Sequence, residues 1–260
     1  MKKVSICILF DNSITYWQCL FFIERIGYEI VEKKGDFVRT NLPKEYIKTI
    51  YGTEIEVIAG CYNDTQKEVI DFAKTLTNNV IDVTGITKYE AYNKLFTFCN
   101  HEYICVLSTN VFPQKNWLTE ILFYYETVKN SGIVSICADI SNAKCVSLVS
   151  NEEEHFLNVV IPEDNLIRNQ SLYVFKREYL NLVGCYETKL HLFGNEFIHL
   201  QLRYFYMLYN NYYIPTQSVL LLDKAEHYDD EMVQKGKNYL DNSIKTMKKQ
   251  KSFYIPLPIF

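Results

Sequence analysis

The 260-residue sequence has little glycine and proline and no excess of basic residues. Only 9 Gly and 6 Pro are present, without a Ser-rich or Pro-rich linker, which favours one domain with a terminal extension over two domains joined by a flexible segment. The formal net charge of −4 provides no overall positive field, so we expect no nucleic-acid partner. The content of 48% hydrophobic and 15% aromatic residues is typical of a chain that buries a full core.

Membrane-spanning and disulfide patterns are also missing. No apolar run approaches the ~20 residues that a membrane span requires, and the run at 4–10 ends at Asp11 without a small-residue cleavage site. The eight cysteines include no C-x-x-C pair, and Cys7, Cys105 and Cys137 lie in apolar runs typical of strands. We therefore interpret them as small buried thiols and expect a cytoplasmic protein.

Strand-like and helix-like patterns alternate along the first half of the chain. Apolar runs predict strands at 4–10, 54–59, 79–83, 103–107 and 133–138, and helical spacing predicts helices at about 15–26, 66–76, 89–100 and 117–128. Residues 28–53 are expected to hold an edge element and a short helix at about 44–51. This alternation predicts an α/β fold with a mainly parallel central sheet flanked by helices.

The second half changes character. From about residue 147 it predicts mixed short strands, the clearest at 171–175, and a helix at 196–209. Near the end, Leu240, Ile244 and Met247 form one helical stripe, and an apolar tail follows at 253–260. Four lysines lie outside that stripe: Lys245, Lys248, Lys249 and Lys251. They predict either a solvated helix face or a contact of residues 240–260 with a protein partner or an anionic membrane surface.

The most informative stretch is Gly194-Asn195-Glu196-Phe197-Ile198-His199-Leu200-Gln201-Leu202-Arg203. It resembles the Gly-x-Glu-Asp-x-Asp-Leu-x-x-Arg segment of inverting family-two glycosyltransferases, which have the GT-A fold. Gly194, Glu196, Leu200 and Arg203 match, whereas Phe197 and His199 replace the two Asp. In that family a carboxylate at the start of this helix is the general base toward the acceptor hydroxyl, and the resemblance assigns that role to Glu196.

Other segments resemble the same family in the same order between residues 4 and 222. Residues 4–12 are similar to its first strand, Asn63-Asp64-Thr65 to its turn after the second strand, and 89–93 to its Ala-x-Asn helix. Residues 103–118 match a strand that delivers Asp-x-Asp, then Pro and Trp-Leu, and 175–187 resemble the Arg-x-x-Phe…Gly-Gly-Phe-Asp-Glu stretch. The resemblance implies a domain at 1–227, with a nucleotide-binding half (1–140) and an acceptor half (141–227), and a C-terminal helix and tail at 228–260.

The resemblance also implies a nucleotide-sugar donor and an unknown glycan, lipid-linked or protein acceptor. The implied donor contacts are Phe10, Asn12, Asp64, Ser108, Asn110 and Arg203. Ser108 and Asn110 replace the two Asp that hold a divalent cation, so we predict no metal ligands here and disfavour Mn or Mg. Asp223 and His227 compete for a further metal position, and Gly60 replaces the acid that usually holds uracil or ribose.

Three functions remain open at this stage. The favoured one is sugar transfer with inversion and little or no metal dependence, in which Arg203, Lys176 or Arg177 balances the leaving-group charge. The alternative is an inactive binding or scaffolding subunit, because three acidic features of the family are replaced independently. A nucleotidyltransferase is disfavoured, since 10–16 lacks a Gly-rich phosphate loop. Structural interpretations also stand: Glu196 as a helix cap, Arg203 paired with an acid and His199 as a satisfied core histidine.

Overall fold

The computed structural model describes residues 2–10, 30–33, 36–39, 49–50, 53–109, 111–113, 117–136, 145–150, 153–159, 172–189, 192, 194–214, 219–221, 229–250 and 255–256. The described strands are β1 Lys2–Phe10, β2 Ile30–Lys33, β3 Asp36–Arg39, β4 Thr49–Ile50, β5 Thr53–Cys61, β6 Val80–Asp82, β7 Tyr103–Leu107, β8 Val111–Pro113, β9 Ser131–Ile136, β10 Cys145–Ser150, β11 Glu153–Val159, β12 Leu172–Lys176, β13 Asn210–Ile214 and β14 Val219–Leu221. The described helices are α1 Lys67–Leu76, α2 Lys88–Phe96, α3 Trp117–Thr127, α4 Tyr179–Leu182, α5 Glu196–Tyr206 and α6 Asp230–Gln250.

Ten of the described strands form one sheet, in the order β10-β11-β13-β9-β12-β7-β1-β5-β4, with β6 also paired to β5. Strand β1 runs parallel to β5 and β7, and β5 runs parallel to β6, so the carboxyl ends of these four strands meet at one rim. In the other half, β12 is antiparallel to both β7 and β9, and β13 is parallel to β9. The predicted α/β class is confirmed, with its parallel pairings concentrated in the first half of the chain.

Aromatic side chains pack two helices on the same face of the sheet. Phe175 of β12 contacts Phe96 of α2 at a centroid distance of 5.5 Å and Tyr204 of α5 at 6.4 Å. Helix α2 begins with a capping box, in which Thr87 N–H donates to Glu90 Oε2 over 2.8 Å. At the centre of the sheet, every residue of β1 from Val4 to Phe10 is buried.

Helix α6 uses its predicted apolar stripe inside the protein. Leu240 and Met247 are buried in one cluster with Ile198 and Leu202 of α5 and with Leu192. Helix α5 therefore covers the apolar stripe. Three lysines outside the stripe are exposed: Lys245, Lys248 and Lys249. Along the described ranges, no helix combines the length and the apolar character needed to cross a bilayer.

Several sequence-based boundaries need correction, including the helix predicted at 89–100, which ends at Phe96. Thr49–Ile50 forms strand β4 against Glu54 and Thr53 rather than the end of a helix, as β-branched side chains favour at a sheet edge. Helix α5 ends at Tyr206 because Leu208 adopts a left-handed φ of 67°. Helix α3 ends at Thr127, so Ser131 and Gly132 belong to β9. The helix predicted at 15–26 lies outside the described residues.

Five of the described cysteines are buried free thiols, as interpreted from the sequence. They are Cys7, Cys61, Cys99, Cys105 and Cys185. The Cys7 and Cys99 sulfurs lie 3.4 Å apart and join β1 to the residues after α2. These small side chains therefore contribute to core packing.

Candidate active site

At the carboxyl rim of the parallel strands, one threonine side chain links the backbone of two neighbouring segments. The Thr65 hydroxyl donates to the Phe10 carbonyl over 3.0 Å and accepts the Tyr62 N–H over 3.1 Å, which ties the turn after β5 to the end of β1. The Phe10 ring is 1% exposed and packs edge-on against Phe72 at 6.3 Å. Phe10 therefore belongs to the core, and its ring is not placed to contact a donor as the sequence led us to expect.

Gly60 occupies a position that has no space for a side chain. An added Cβ would lie 2.6 Å from Leu9 Cδ2 and 3.3 Å from Leu95 Cδ2. Both contacts are with buried leucine side chains, Leu9 of β1 and Leu95 of α2, so an acid here would require core rearrangement. Packing against these two leucines therefore accounts for a glycine at position 60.

Another carboxylate reaches the same rim. Asp82 ends β6 opposite Cys61, is exposed, and its Oδ1 accepts the Thr84 N–H over 2.9 Å. Hydrogen bonds from the Thr84 hydroxyl and backbone lower the pKa of Asp82, so its carboxylate is ionised at neutral pH. Sequence reasoning did not select Asp82, because only the β5–β6 register places it beside the end of β5.

The other expected donor-side residues fall into two groups. Ser108 is half-buried directly after β7, and Asp64 is exposed in the turn after β5. Asn12, Asn110, Asp223 and His227 lie outside the described residues. Across the part of the chain that the structure describes, no group of three or more His, Cys, Asp and Glu side chains could hold a metal ion. The neutral hydroxyl of Ser108 does not fit a hard divalent cation, which prefers anionic oxygen.

Glu196 is the first residue of α5 and is 7% exposed. Its Oε2 accepts the Gly194 N–H over 2.9 Å, and Gly194 has a left-handed φ of 89° that other residues rarely adopt. Asn195 Nδ2 donates to the Leu192 carbonyl over 2.8 Å and holds the same turn. The helix N-terminus stabilises the carboxylate charge, so this turn presents an anionic oxygen in a nearly enclosed place.

Two tyrosine hydroxyls lie beside the start of α5. The Tyr186 and Tyr173 hydroxyls are hydrogen-bonded to each other, and the Tyr173 ring lies 4.6 Å from the Phe197 ring. Burial raises the pKa of Tyr186, with further contributions from neighbouring tyrosines and from the Glu196 charge. The Tyr186 hydroxyl therefore remains protonated next to the Glu196 turn.

Strand pairing connects the Glu196 turn to the rim at Ser108. Leu172 of β12 lies opposite Leu107 of β7, and Tyr173 lies opposite Val106. Since Tyr173 contacts Phe197 and Ser108 follows Leu107, the start of α5 adjoins the carboxyl end of β7. The segments expected to flank a donor and an acceptor thus approach the same edge of the sheet.

Lys176 and Arg177, by contrast, lie at the other end of the sheet. Lys176 is opposite Tyr103, the first residue of β7, because β12 is antiparallel to β7. At ~3.3 Å per residue, five residues separate this end from Ser108 by about 17 Å along the strand. A polar cavity of about 330 Å³ lies there, lined in part by His101 and Arg177. The two cations expected to balance leaving-group charge therefore lie at the opposite end of the sheet from Ser108.

Arg203 is a fully buried residue in the last turn of α5. Its Nη1 donates to the Val183 carbonyl over 2.7 Å, and its Nη2 donates to the Cys185 carbonyl. Burial lowers the pKa of Arg203 to about 10, so the guanidinium is still charged at neutral pH. Arg203 thus holds the backbone at residues 183–185, and this placement does not direct it toward a donor phosphate.

His199 lies on the same buried helix and is 0% exposed. Burial, and then the Arg203 charge, lower the pKa of His199 well below its usual range. The imidazole is therefore neutral at physiological pH. This placement agrees with the interpretation of His199 as a core histidine.

No model of a known protein family and no curated protein matches the sequence. Solved structures do match the fold. The mannosyltransferase PcManGT from Pyrobaculum calidifontis, in complex with GDP-Man and Mn2+, has a TM-score of 0.54 at 13% identity, over 95% of this chain and 73% of that chain. Glucosyl-3-phosphoglycerate synthase from Mycobacterium tuberculosis, in complex with Mg2+ and UDP, has a TM-score of 0.57 at 10% identity, over 94% and 80%.

A third structure extends this fold comparison. GalNAc-T7 with UDP, GalNAc and Mn2+ has a TM-score of 0.61 at 10% identity, and the match covers 93% of this chain. The chain spans about half of that protein, 48% of its length. At these identities the likeness concerns the fold alone. The chain therefore has the GT-A fold of glycosyltransferases.

Proposed function

We propose that this protein transfers a sugar from a nucleotide-sugar donor to an acceptor hydroxyl, with inversion at the anomeric carbon. The observation that carries the proposal is the Glu196 carboxylate, 7% exposed at the start of α5 and bound by the Gly194 N–H. The GT-A fold, and solved neighbours whose names include GDP-Man and UDP, support a nucleotide-sugar donor. The acceptor would meet Glu196 from the side of the β7 rim.

In this mechanism Glu196 is the general base. The acceptor oxygen attacks the anomeric carbon while its proton moves to the Glu196 carboxylate, and the bond to the nucleoside diphosphate breaks with its electron pair leaving on phosphate oxygen. The Gly194 N–H and the helix N-terminus hold the base in its ionised form before the reaction. Near-complete enclosure strengthens these interactions, because little water competes for the carboxylate.

The donor would lie along the carboxyl rim of β1, β5 and β7. Asp64, Asn12 and the newly identified Asp82 are proposed to face the nucleoside, and Ser108 and Asn110 the diphosphate. Hydroxyl and backbone donors can stabilise the departing phosphate without a strong metal site. We therefore propose weak or absent dependence on Mn or Mg, and no catalytic step is assigned to a metal.

The test uses purified protein with UDP- and GDP-sugars and a panel of glycan, lipid-linked and peptide acceptors. Released nucleotide is measured with and without manganese, and the anomeric configuration of the product is read by NMR. Glu196→Gln is expected to lower kcat by about 10²–10⁴-fold, the usual contribution of a general base. Glu68→Gln, at an exposed position of α1, is the matched control and should retain full activity. Turnover that survives Glu196→Gln unchanged removes the base assignment.

The placement of two donor-side elements supports a second candidate, an inactive binding or scaffolding subunit. Leu9 and Leu95 fill the space beside Gly60, and the Arg203 guanidinium is engaged by carbonyls within the fold. If the protein has no functional donor site, titration calorimetry should detect no heat of binding with UDP or GDP at millimolar concentration. An active transferase should bind one of them, so nucleotide affinity separates the two functions.

A further inference from the structure

The turn at 183–187, here called the junction turn, is held by three separate parts of the chain. From α2, Asn93 Nδ2 donates to the Tyr186 carbonyl over 3.0 Å, and the Tyr186 N–H donates to Asn93 Oδ1 over 2.9 Å. From α5, Arg203 donates to the carbonyls of residues 183 and 185. From the C-terminal segment, the Ile255 carbonyl accepts the Cys185 N–H over 3.0 Å. The junction turn thus joins both halves of the domain.

The contact from α2 is the most specific of the three. Asn93 is 2% exposed and Tyr186 is 1% exposed, so neither partner can exchange these bonds for water without local opening. A side-chain amide offers one donor and one acceptor, which match the carbonyl and N–H of a single residue. Aspartate retains only the acceptor, and leucine of similar size retains neither.

A short series of contacts leads from this amide to the proposed base. The Tyr186 hydroxyl is hydrogen-bonded to that of Tyr173, and the Tyr173 ring lies 4.6 Å from the ring of Phe197, the residue after Glu196. The Tyr186 ring is also fixed by Tyr89 of α2 at 4.9 Å. Any shift of the Tyr186 backbone therefore changes the surroundings of the Glu196 turn.

We infer that Asn93 is a positioning residue, which sets the acceptor-side turn and, through Tyr186 and Tyr173, the place of the Glu196 carboxylate. This inference rests on the proposed function, in which Glu196 is the base. It assigns to α2, a helix of the nucleotide-binding half, control over the geometry of the acceptor half. Asn93 itself touches neither substrate.

The kinetic test compares wild type with Asn93→Leu, Asn93→Asp and the control Asn238→Leu, an exposed asparagine of α6. Asn93→Leu should lower kcat at least tenfold and leave the donor KM within twofold. The acid limb of its pH–kcat profile should also move, because the environment of Glu196 changes. The kcat of Asn93→Asp should lie between those of wild type and Asn93→Leu, and the kcat of Asn238→Leu should equal that of wild type. A kcat for Asn93→Leu within twofold of wild type overturns the inference.

A second measurement separates this inference from the proposed function. Amide hydrogen exchange of peptides covering 183–187 and 194–199 needs no activity, so it still decides the inference if wild type transfers no sugar and the proposed function fails. Exchange at least tenfold faster in both peptides of Asn93→Leu supports the inference, whereas unchanged exchange at 194–199 overturns it. If Asn93→Leu does not fold, Tyr186→Phe replaces it, since it keeps the backbone bonds and removes the hydroxyl. Faster exchange at 194–199 is then expected, and wild-type exchange there is the contradicting result.

Discussion

Replacing Arg203 tests whether this motif residue serves the fold or a ligand. Its guanidinium is fully buried, charged at neutral pH with a pKa of about 10, and bonded to two carbonyls of the junction turn. Hydrogen bonds to a charged group contribute about 1.5–3 kcal/mol each, so Arg203→Leu should cost roughly 3–6 kcal/mol of the free energy of unfolding. Arg203→Lys should lose about half of that, because one ammonium does not reproduce the fork of two donors.

The assay is urea unfolding followed by circular dichroism, with a thermal scan as a second readout. For a chain of this size, a loss of that magnitude corresponds to a Tm lower by about 6–20 °C. Arg177→Leu, at an exposed position, is the matched control and should change the stability by less than about 0.5 kcal/mol. The structural assignment is refuted if Arg203→Leu leaves stability unchanged and weakens nucleotide binding tenfold or more, as a phosphate ligand would.

Three further predictions concern buried titratable groups and one glycine. Because the neutral form of His199 is favoured in the folded state, the unfolded chain binds the proton first, and stability should fall as the pH drops below 6.5. Between neutral pH and pH 5, the free energy of unfolding from urea titrations should fall by about 2 kcal/mol more in wild type than in His199→Gln. An equal dependence of that free energy on pH in both proteins would contradict the assignment. Burial also raises the pKa of Tyr125, Tyr186 and Tyr204, so stability should fall above pH ~10. Their absorbance at 295 nm should change only on unfolding. Titration of these tyrosines in the folded protein would show that they are accessible to solvent. An added Cβ at Gly184, where φ is 87°, would overlap the Ile255 carbonyl, whereas Gly85 has a φ of 79° and open space. Gly184→Ala should therefore lower the free energy of unfolding further than Gly85→Ala in urea titrations, by at least ~2 kcal/mol, and equal losses would refute the contact with Ile255.

Periodicity predicted the elements that have a strong local signal. The strand at 103–107 is found at those bounds, and the strand at 4–10 gains only Lys2 and Lys3. Both are continuous apolar runs, which a sheet covered on both faces requires. The strand at Thr49–Ile50 was missed because two residues have no period, and its pairing with β5 depends on a turn that local propensity does not specify.

The site was harder to predict, because side-chain direction depends on contacts between distant segments. The resemblance to glycosyltransferase motifs selected Phe10 and Arg203 as donor contacts. The Phe10 ring instead packs on Phe72, and the Arg203 side chain binds carbonyls of the junction turn. The sequence showed that an acid is absent at Gly60, but only the structure shows that Leu9 and Leu95 fill its space. Asp82 required the β5–β6 register, which a pattern within one strand cannot supply.

These placements change which of the residues that match the glycosyltransferase motifs are evidence of enzymatic activity. Asn93 and Arg203 hold the junction turn, so an inactive protein of this fold would need them as much as an enzyme would. Glu196 is different, because glutamine can accept the Gly194 N–H through its amide oxygen but cannot take a proton from an acceptor at neutral pH. Glu196→Gln should therefore preserve the stability of the turn and lower kcat by about 10²–10⁴-fold. A variant that keeps both stability and turnover would mean that Glu196 only caps α5, and a wild type that binds no nucleotide would leave the binding-subunit function in its place.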